Sequence, residues 1–153
     1  MFQTLQAASA RLPLWTRTSS ARRLLSGGSR TRCSLRIVTF PRPLTPTEKA
    51  VAWSLLEGAG VPELDLLSEQ LEAAYAVSEC ECVCPTISMA VDDAHARAVS
   101  YSGKPVATAD YDGGSIMVWI EDGWLSHLEI YWWSDEAPTE FPDLGALENH
   151  RPE

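Results

Sequence analysis

The hydrophobic pattern that begins after residue 43 predicts an amphipathic helix. Thr45 is followed by Pro46 and then by Glu48, the arrangement of a capping box with proline at the first helical position. Apolar residues then recur at helical spacing, at Ala52, Leu55, Leu56 and Ala59. Gly58 and Gly60 are typical of a helix end, so we expect the helix to stop there.

A second helix is predicted directly after the first. It begins at Val61-Pro62-Glu63, and its apolar positions are Leu64, Leu67, Leu71 and Ala74. Because the connection between the two helices is short, we expect them to form an αα-hairpin.

From Val77 onward the hydrophobic period changes from that of a helix to two, which predicts β-strands. The Asp122-Gly123 dipeptide between two apolar runs predicts a two-residue type I′ hairpin turn. Helices followed by strands are typical of an α+β domain. We therefore predict an N-terminal αα-hairpin followed by a four- to five-stranded antiparallel meander sheet, in two layers.

The predicted hairpin has two faces of different character. We expect the helices to cover the face with Met117, Trp119, Trp124, Leu128, Ile130 and Trp132. The opposite face carries Ile116, Val118, Ile120 and Leu125, together with the candidate partner-binding residues His127, Glu129, Tyr131 and Trp133. Exposed aromatic residues beside acidic ones are typical of a protein-binding patch. His127 and Glu129 also allow an acid/base pair, although no nucleophile motif accompanies them.

Charge divides the chain into two unlike parts. Residues 1–47 contain eight arginines and no acidic residue, whereas all 21 acidic residues follow. We expect residues 1–43 to be a disordered basic segment, either a mis-assigned start or an organellar targeting peptide. Residues 44–145 are then a single α+β domain, and residues 146–153 a flexible acidic tail. We expect a cytoplasmic protein, or an organellar one if the basic segment is a genuine transit peptide.

The acidic domain restricts the class of partner. Nucleic acids and anionic membranes attract clustered Lys and Arg, which residues 48–153 lack, so we expect neither to bind. No run of 18 or more apolar residues occurs, and we therefore expect no transmembrane helix. A basic protein is the partner that the charge favours.

Three alternating cysteines, Cys80, Cys82 and Cys84, form the clearest candidate chemical motif. On a strand they would share one face, and with His95 or a carboxylate they could bind zinc. Cysteine also packs well in cores, and we expect packing rather than a bound cofactor, with the thiols reduced. Cys33, the fourth cysteine, lies in the basic segment.

Two stretches resemble known proteins. Cys-x-Cys-x-Cys-Pro-Thr-Ile within residues 78–90 and Asp-Gly-Trp-Leu-Ser-His-Leu-Glu-Ile-Tyr within residues 122–142 resemble a family of small, uncharacterised bacterial α+β proteins. Gly-x-Leu-Ser-x-Leu-Glu-Ile also resembles immunity proteins. Neither resemblance establishes an activity. From the acidic, aromatic surface we expect a small non-catalytic binding protein that masks a basic partner, in the manner of an immunity protein. The alternative is a thiolate zinc protein that uses Cys80, Cys82 and Cys84.

Overall fold

The computed structural model of the protein describes residues 39–152. The predictions for residues 1–38 therefore lie outside the described residues. In chain order the elements are β1 (Arg42–Pro43), α1 (Pro46–Ala59), α2 (Leu64–Ala73), β2 (Ala74–Glu79), β3 (Ile87–Val91), β4 (Lys104–Tyr111), β5 (Gly114–Glu121), β6 (Trp124–Trp132), a 3₁₀ turn (Leu144–Ala146) and β7 (Glu148–Pro152).

The described strands form one antiparallel sheet of seven strands, in the order β1-β2-β3-β6-β5-β4-β7. The predicted α+β class is confirmed, but the predicted meander of four to five strands is wrong. From β3 the chain crosses to β4 without pairing with it, and β5 and β6 then fill the gap between them. The short β1 and β7 have no hydrophobic alternation, because most of their residues are exposed, and the pattern could not reveal them.

The helices share one hydrophobic core with the sheet. α1 packs against β4, β5 and β7, α2 packs against β3 and β6, and the two helices also pack against each other. The predicted N-terminal αα-hairpin is nevertheless not matched, because β1 precedes α1 and both helices belong to the core of the sheet rather than to a separate helical unit.

The sequence signals of α1 are confirmed in detail. The hydroxyl of Thr45 accepts a hydrogen bond from the amide of Glu48 at 3.2 Å, and the Glu48 carboxylate accepts from the Thr45 amide at 2.7 Å. Gly60 ends the helix with φ 61°. The apolar stripe that the spacing predicts is buried, as are Glu48 and Val51 beside it.

The β5–β6 hairpin has the predicted turn but not the predicted register. Asp122 and Gly123 both have positive φ, and Glu121 pairs with Trp124, as a type I′ turn requires. The register then shifts between Ile120 and Trp119, and Ser126 is the extra residue on β6. On β6 the bulge reverses which face the residues beyond it occupy, whereas the alternation along β5 is unbroken.

The assignment of side chains to faces is consequently wrong for half of the hairpin. The helices cover a face that carries Ile116, Val118, Ile120, Leu125, Leu128 and Ile130, all of them buried. Met117 and Trp119 pair with Glu129 and His127 and lie with them on the opposite face. A single extra residue accounts for the difference.

Both predicted boundaries of the domain also need correction. Arg42 and Pro43, placed in the basic segment, pair with Ala76 and Tyr75 of β2. At the other end, residues 148–152 form β7 on β4 instead of a flexible tail. These residues resembled a tail because they are mostly charged or polar, and four of the five are exposed even in the strand.

Candidate binding face and cysteine loop

The sheet surface that faces away from the helices, here called the open face, carries two exposed aromatic rings. Tyr131 is 55% exposed and Trp133 is 63% exposed. Their ring centroids are 6.3 Å apart, and the ring planes are inclined by 60°. Trp133 follows β6 directly, and its amide donates to the carbonyl oxygen of Gly113 at 3.1 Å, which fixes the backbone at that point.

The four predicted partner-binding residues are distributed along β6 and just beyond it, and of these Tyr131 and Trp133 contact each other. His127 and Glu129 are half-buried and alternate with the buried Leu128. The ring nitrogen Nδ1 of His127 lies 3.1 Å from the hydroxyl of Ser126, which is itself buried in the bulge. The geometry thus joins His127 to Ser126 rather than to Glu129, and it does not form the acid/base pair that the spacing allowed.

The described residues are strongly acidic. Residues 39–152 contain five Lys and Arg side chains and twenty Asp and Glu side chains. Four of the five cationic side chains form ion pairs with carboxylates of the same domain: Arg42 with Glu48 and Glu79, Lys49 with Glu72, Arg97 with Glu69, and Arg151 with Asp110. The remaining carboxylates leave the surface with a large negative charge.

The three cysteines lie in the loop between β2 and β3, residues 80–86, here called the cysteine loop. The prediction that the cysteines lie on a strand is wrong, because β2 ends at Glu79, before the first cysteine, and β3 begins only at Ile87. Pro85 removes a backbone donor within this stretch, which is one reason why the alternating pattern does not continue as a strand.

The loop brings the thiols to one point. The sulfur atoms of Cys80 and Cys82 are 2.6 Å apart, and those of Cys82 and Cys84 are 3.0 Å apart. All three sulfurs lie within 4.8 Å of one another. Cys84 is buried, but Cys80 and Cys82 are exposed, so the prediction that the cysteines fill a core face holds only for Cys84.

Hydrogen bonds attach the cysteine loop to the sheet. The amide of Cys80 donates to the carbonyl oxygen of Thr86 at 3.1 Å and closes the loop at its base. The hydroxyl of Thr86 accepts from the amide of Ile130 on β6, also at 3.1 Å. Because Ile130 is one residue from Tyr131, the cysteine loop and the exposed rings lie toward the same end of the sheet.

His95, considered as a fourth metal ligand, is not part of this cluster. Its Nδ1 lies 2.8 Å from a carboxylate oxygen of Asp92, in the connection between β3 and β4. The hydrogen bond from His95 lowers the pKa of Asp92 below its usual range, with the Ala94 amide contributing. Glu69, Glu72 and Ala73 of α2 border the same shallow depression.

No family model, curated protein or solved structure matches the chain. The resemblance to small bacterial proteins and to immunity proteins therefore stays a prediction. Neither helix in residues 39–152 is long and apolar enough to cross a membrane.

Two features of these sites were missed by sequence reasoning. The bulge at Ser126 has no marker such as glycine or proline, so nothing in the sequence indicated the shift. The convergence of the three thiols had a weak signal, since Pro85 directly after the third cysteine argues for a turn.

Proposed function

We propose that the protein is a small, acidic, non-catalytic binding protein whose open face binds a basic protein partner. The observation that carries this proposal is the pair of exposed rings of Tyr131 and Trp133 on the face that the helices leave uncovered. Large exposed aromatic side chains are enriched at protein interfaces, where they act as anchors.

Charge complementarity favours a basic protein as the occupant of this face. Glu129 lies within the patch, and Asp135 and Glu136 are exposed just beyond Trp133. With twenty acidic and five basic side chains in residues 39–152, the domain attracts cationic surfaces over a distance set by the ionic strength. A partner that the domain masks in the manner of an immunity protein would carry Lys and Arg around an apolar pocket.

A peptide library tests this proposal while the partner itself is still unidentified. Random peptides displayed on phage are selected on the wild-type protein, and the enriched peptides are synthesised and titrated calorimetrically. We expect them to combine Lys or Arg with an apolar residue. Tyr131→Ala and Trp133→Ala should each weaken binding by about 2 kcal/mol, or roughly 30-fold, as the loss of an aromatic anchor does.

Leu144→Ala is the matched control, because Leu144 is 45% exposed and belongs to the 3₁₀ turn that packs near α1. This change should leave the affinity unaltered. Glu129→Gln should mainly reduce the association rate and its dependence on salt. The proposal fails if the selected peptides carry no excess of positive charge, or if they bind the Tyr131→Ala/Trp133→Ala double variant as tightly as the wild type.

A further inference from the structure

We propose that the cysteine loop binds one thiophilic metal ion, Zn²⁺, through the sulfur atoms of Cys80, Cys82 and Cys84. This site is separate from the open face and does not depend on the binding of a partner. The sulfurs are the only group of three or more candidate metal ligands in the described part of the chain that converges in this way.

The convergence requires a specific backbone path. On an extended strand, alternate residues are about 6.6 Å apart, and the first and third cysteines would be separated by about 13 Å. Instead, all three sulfurs lie within 4.8 Å. One ion at their centre would contact all three, whereas packing alone gives no reason for two exposed cysteines to approach a third that is buried.

The backbone at Val83 is held in an unfavourable conformation between two of the ligands. Its φ is 73°, in the left-handed region that β-branched residues rarely adopt. The Val83 side chain is 74% exposed, so little burial compensates for this conformation. Such outliers are concentrated at ligand-binding sites, and here the turn directs Cys82 and Cys84 toward the same point.

The sulfur separations indicate how the site would adjust to the ion. Four ligands at a zinc–sulfur distance of about 2.3 Å define a tetrahedron with an edge of about 3.8 Å. The observed separations of 2.6 and 3.0 Å are shorter, so the sulfurs must move apart by about 1 Å. Cys80 and Cys82 are exposed and can rotate outward, while the buried Cys84 stays in place.

The ligand set decides the class of ion. Thiolates prefer soft or borderline ions such as Zn²⁺ and Cu(I), whereas Mg²⁺ and Ca²⁺ require oxygen ligands. Three thiolates leave the fourth position of zinc open, on the side of the exposed Cys80 and Cys82. Water or another exchangeable ligand would occupy it, as in zinc sites that are not closed by a fourth protein ligand.

The test uses the full chain with Cys33→Ser, so that the cysteine loop contains its only three thiols. The reduced, metal-free protein is titrated with Zn²⁺ against a chelating dye, and with Co²⁺ while the absorption spectrum is recorded. We expect one equivalent of either ion, with thiolate-to-cobalt charge-transfer bands. Binding should release protons, because the ligands bind as thiolates.

Single substitutions assign the ligands. Cys80→Ser and Cys82→Ser change exposed residues, so they should leave the fold intact while weakening Zn²⁺ binding by about 100-fold or more, since even changes in the groups that hold the ligands cost about 10- to 100-fold. Glu81→Gln is the matched control within the loop; it retains all three thiols and should still bind one equivalent. A chelator should remove the ion rapidly, because one coordination position is open.

Two results would show that the site does not exist. One is the absence of Zn²⁺ and Co²⁺ binding at micromolar concentrations, and the other is a triple Cys→Ser variant that binds these ions as tightly as the protein with all three cysteines of the loop. Uptake of Cu(I) without uptake of Zn²⁺ would overturn the assignment of zinc. A disulfide within the loop that persists in reducing buffer, detected as a mass lower by two hydrogen atoms, would also contradict the proposal.

Discussion

The side-chain nitrogen of Gln70 on α2 donates a hydrogen bond to the carbonyl oxygen of Gly123, in the turn of the β5–β6 hairpin, at 2.8 Å. The same nitrogen donates to the carbonyl oxygen of Arg97, also at 2.8 Å, and the side-chain oxygen accepts from the amide of Leu125 at 2.9 Å. Gln70 is fully buried. One carboxamide therefore joins a helix, a hairpin turn and the connection between β3 and β4.

Gln70→Glu should lower the free energy of unfolding by about 3 kcal/mol at neutral pH, because two buried carbonyl oxygens lose their donor and face a carboxylate instead. Protonation of the introduced carboxylate restores one donor, so part of the loss should be recovered in acid. Urea melts at several pH values measure both effects. The reciprocal change Glu57→Gln, at an exposed position on α1, should alter the free energy of unfolding by no more than about 0.5 kcal/mol. If it lowered the stability as much as Gln70→Glu does, the loss could not be assigned to the hydrogen bonds of Gln70.

The ion pair between Arg42 and Glu48 predicts a loss of stability in acid. Burial opposes ionisation of Glu48, but hydrogen bonds from the Arg42 guanidinium and the Thr45 amide outweigh it, and the pKa of Glu48 is lowered. A lowered pKa in the folded state stabilises the protein above the pKa of the unfolded chain, and this contribution disappears as the pH falls through the folded pKa.

Glu48→Gln should therefore destabilise the protein by about 1–2 kcal/mol at pH 7, with the difference from wild type shrinking below about pH 4. Chemical denaturation across this range is the measurement. Glu57→Gln, at an exposed position on α1, again serves as the control and should stay within about 0.5 kcal/mol of wild type at pH 7. A constant difference for Glu48→Gln would mean that its charge does not contribute.

Alanine substitutions at two glycines with positive φ distinguish the cost of backbone strain from the cost of a steric collision. Gly103 has φ 88° and open space around it, whereas a Cβ on Gly123, with φ 84°, would lie 2.6 Å from the carbonyl oxygen of Val99. Gly103→Ala should cost about 1 kcal/mol from strain alone. Gly123→Ala should cost about 1–3 kcal/mol more, because backbone must shift. Thermal melts of the two variants rank them, and equal losses would show that the close approach to Val99 is easily relieved.

Two threonines should respond in opposite directions to the same substitution. Thr108 is buried on β4, and its hydroxyl has no hydrogen-bond partner among the described residues. Thr108→Val should raise the free energy of unfolding by about 1 kcal/mol, because it removes an unsatisfied buried hydroxyl. Thr86→Val should lower it by about the same amount, because the amide of Ile130 loses its acceptor. If urea melts showed that both substitutions change the free energy of unfolding in the same direction, this interpretation would be wrong.

Local signals predicted local structure well in this protein. The capping box at Thr45 and the Asp122-Gly123 turn depend on residues that are close in sequence, and both are confirmed. Gln70 could not be recognised in the same way, because its partners at Arg97, Gly123 and Leu125 are 27 to 55 positions away. A glutamine among helix-surface residues has no sequence feature that marks it as buried.

The candidate sites show the same limit. His127, Glu129 and Tyr131 share a face because residues two apart on a strand point the same way, so their grouping was predictable. Which other residues join them depended on the bulge at Ser126, which replaced Ile116 and Val118 with Met117 and Trp119. The cysteines were recognised from their spacing, but their convergence depends on a loop whose backbone conformation at Val83 is unfavourable and therefore unexpected.

The two outermost strands of the sheet restrict how another molecule can bind. β1 has only two residues, and Pro43 lacks the amide hydrogen that a neighbouring strand would need. On the other side, β7 includes Asn149 with φ 51° and ends at Pro152, which interrupts a regular row of donors and acceptors. Strand addition is disfavoured at both borders of the described sheet, so self-assembly into extended β-structure is discouraged. The described sheet therefore presents side chains, rather than a free strand edge, to other molecules.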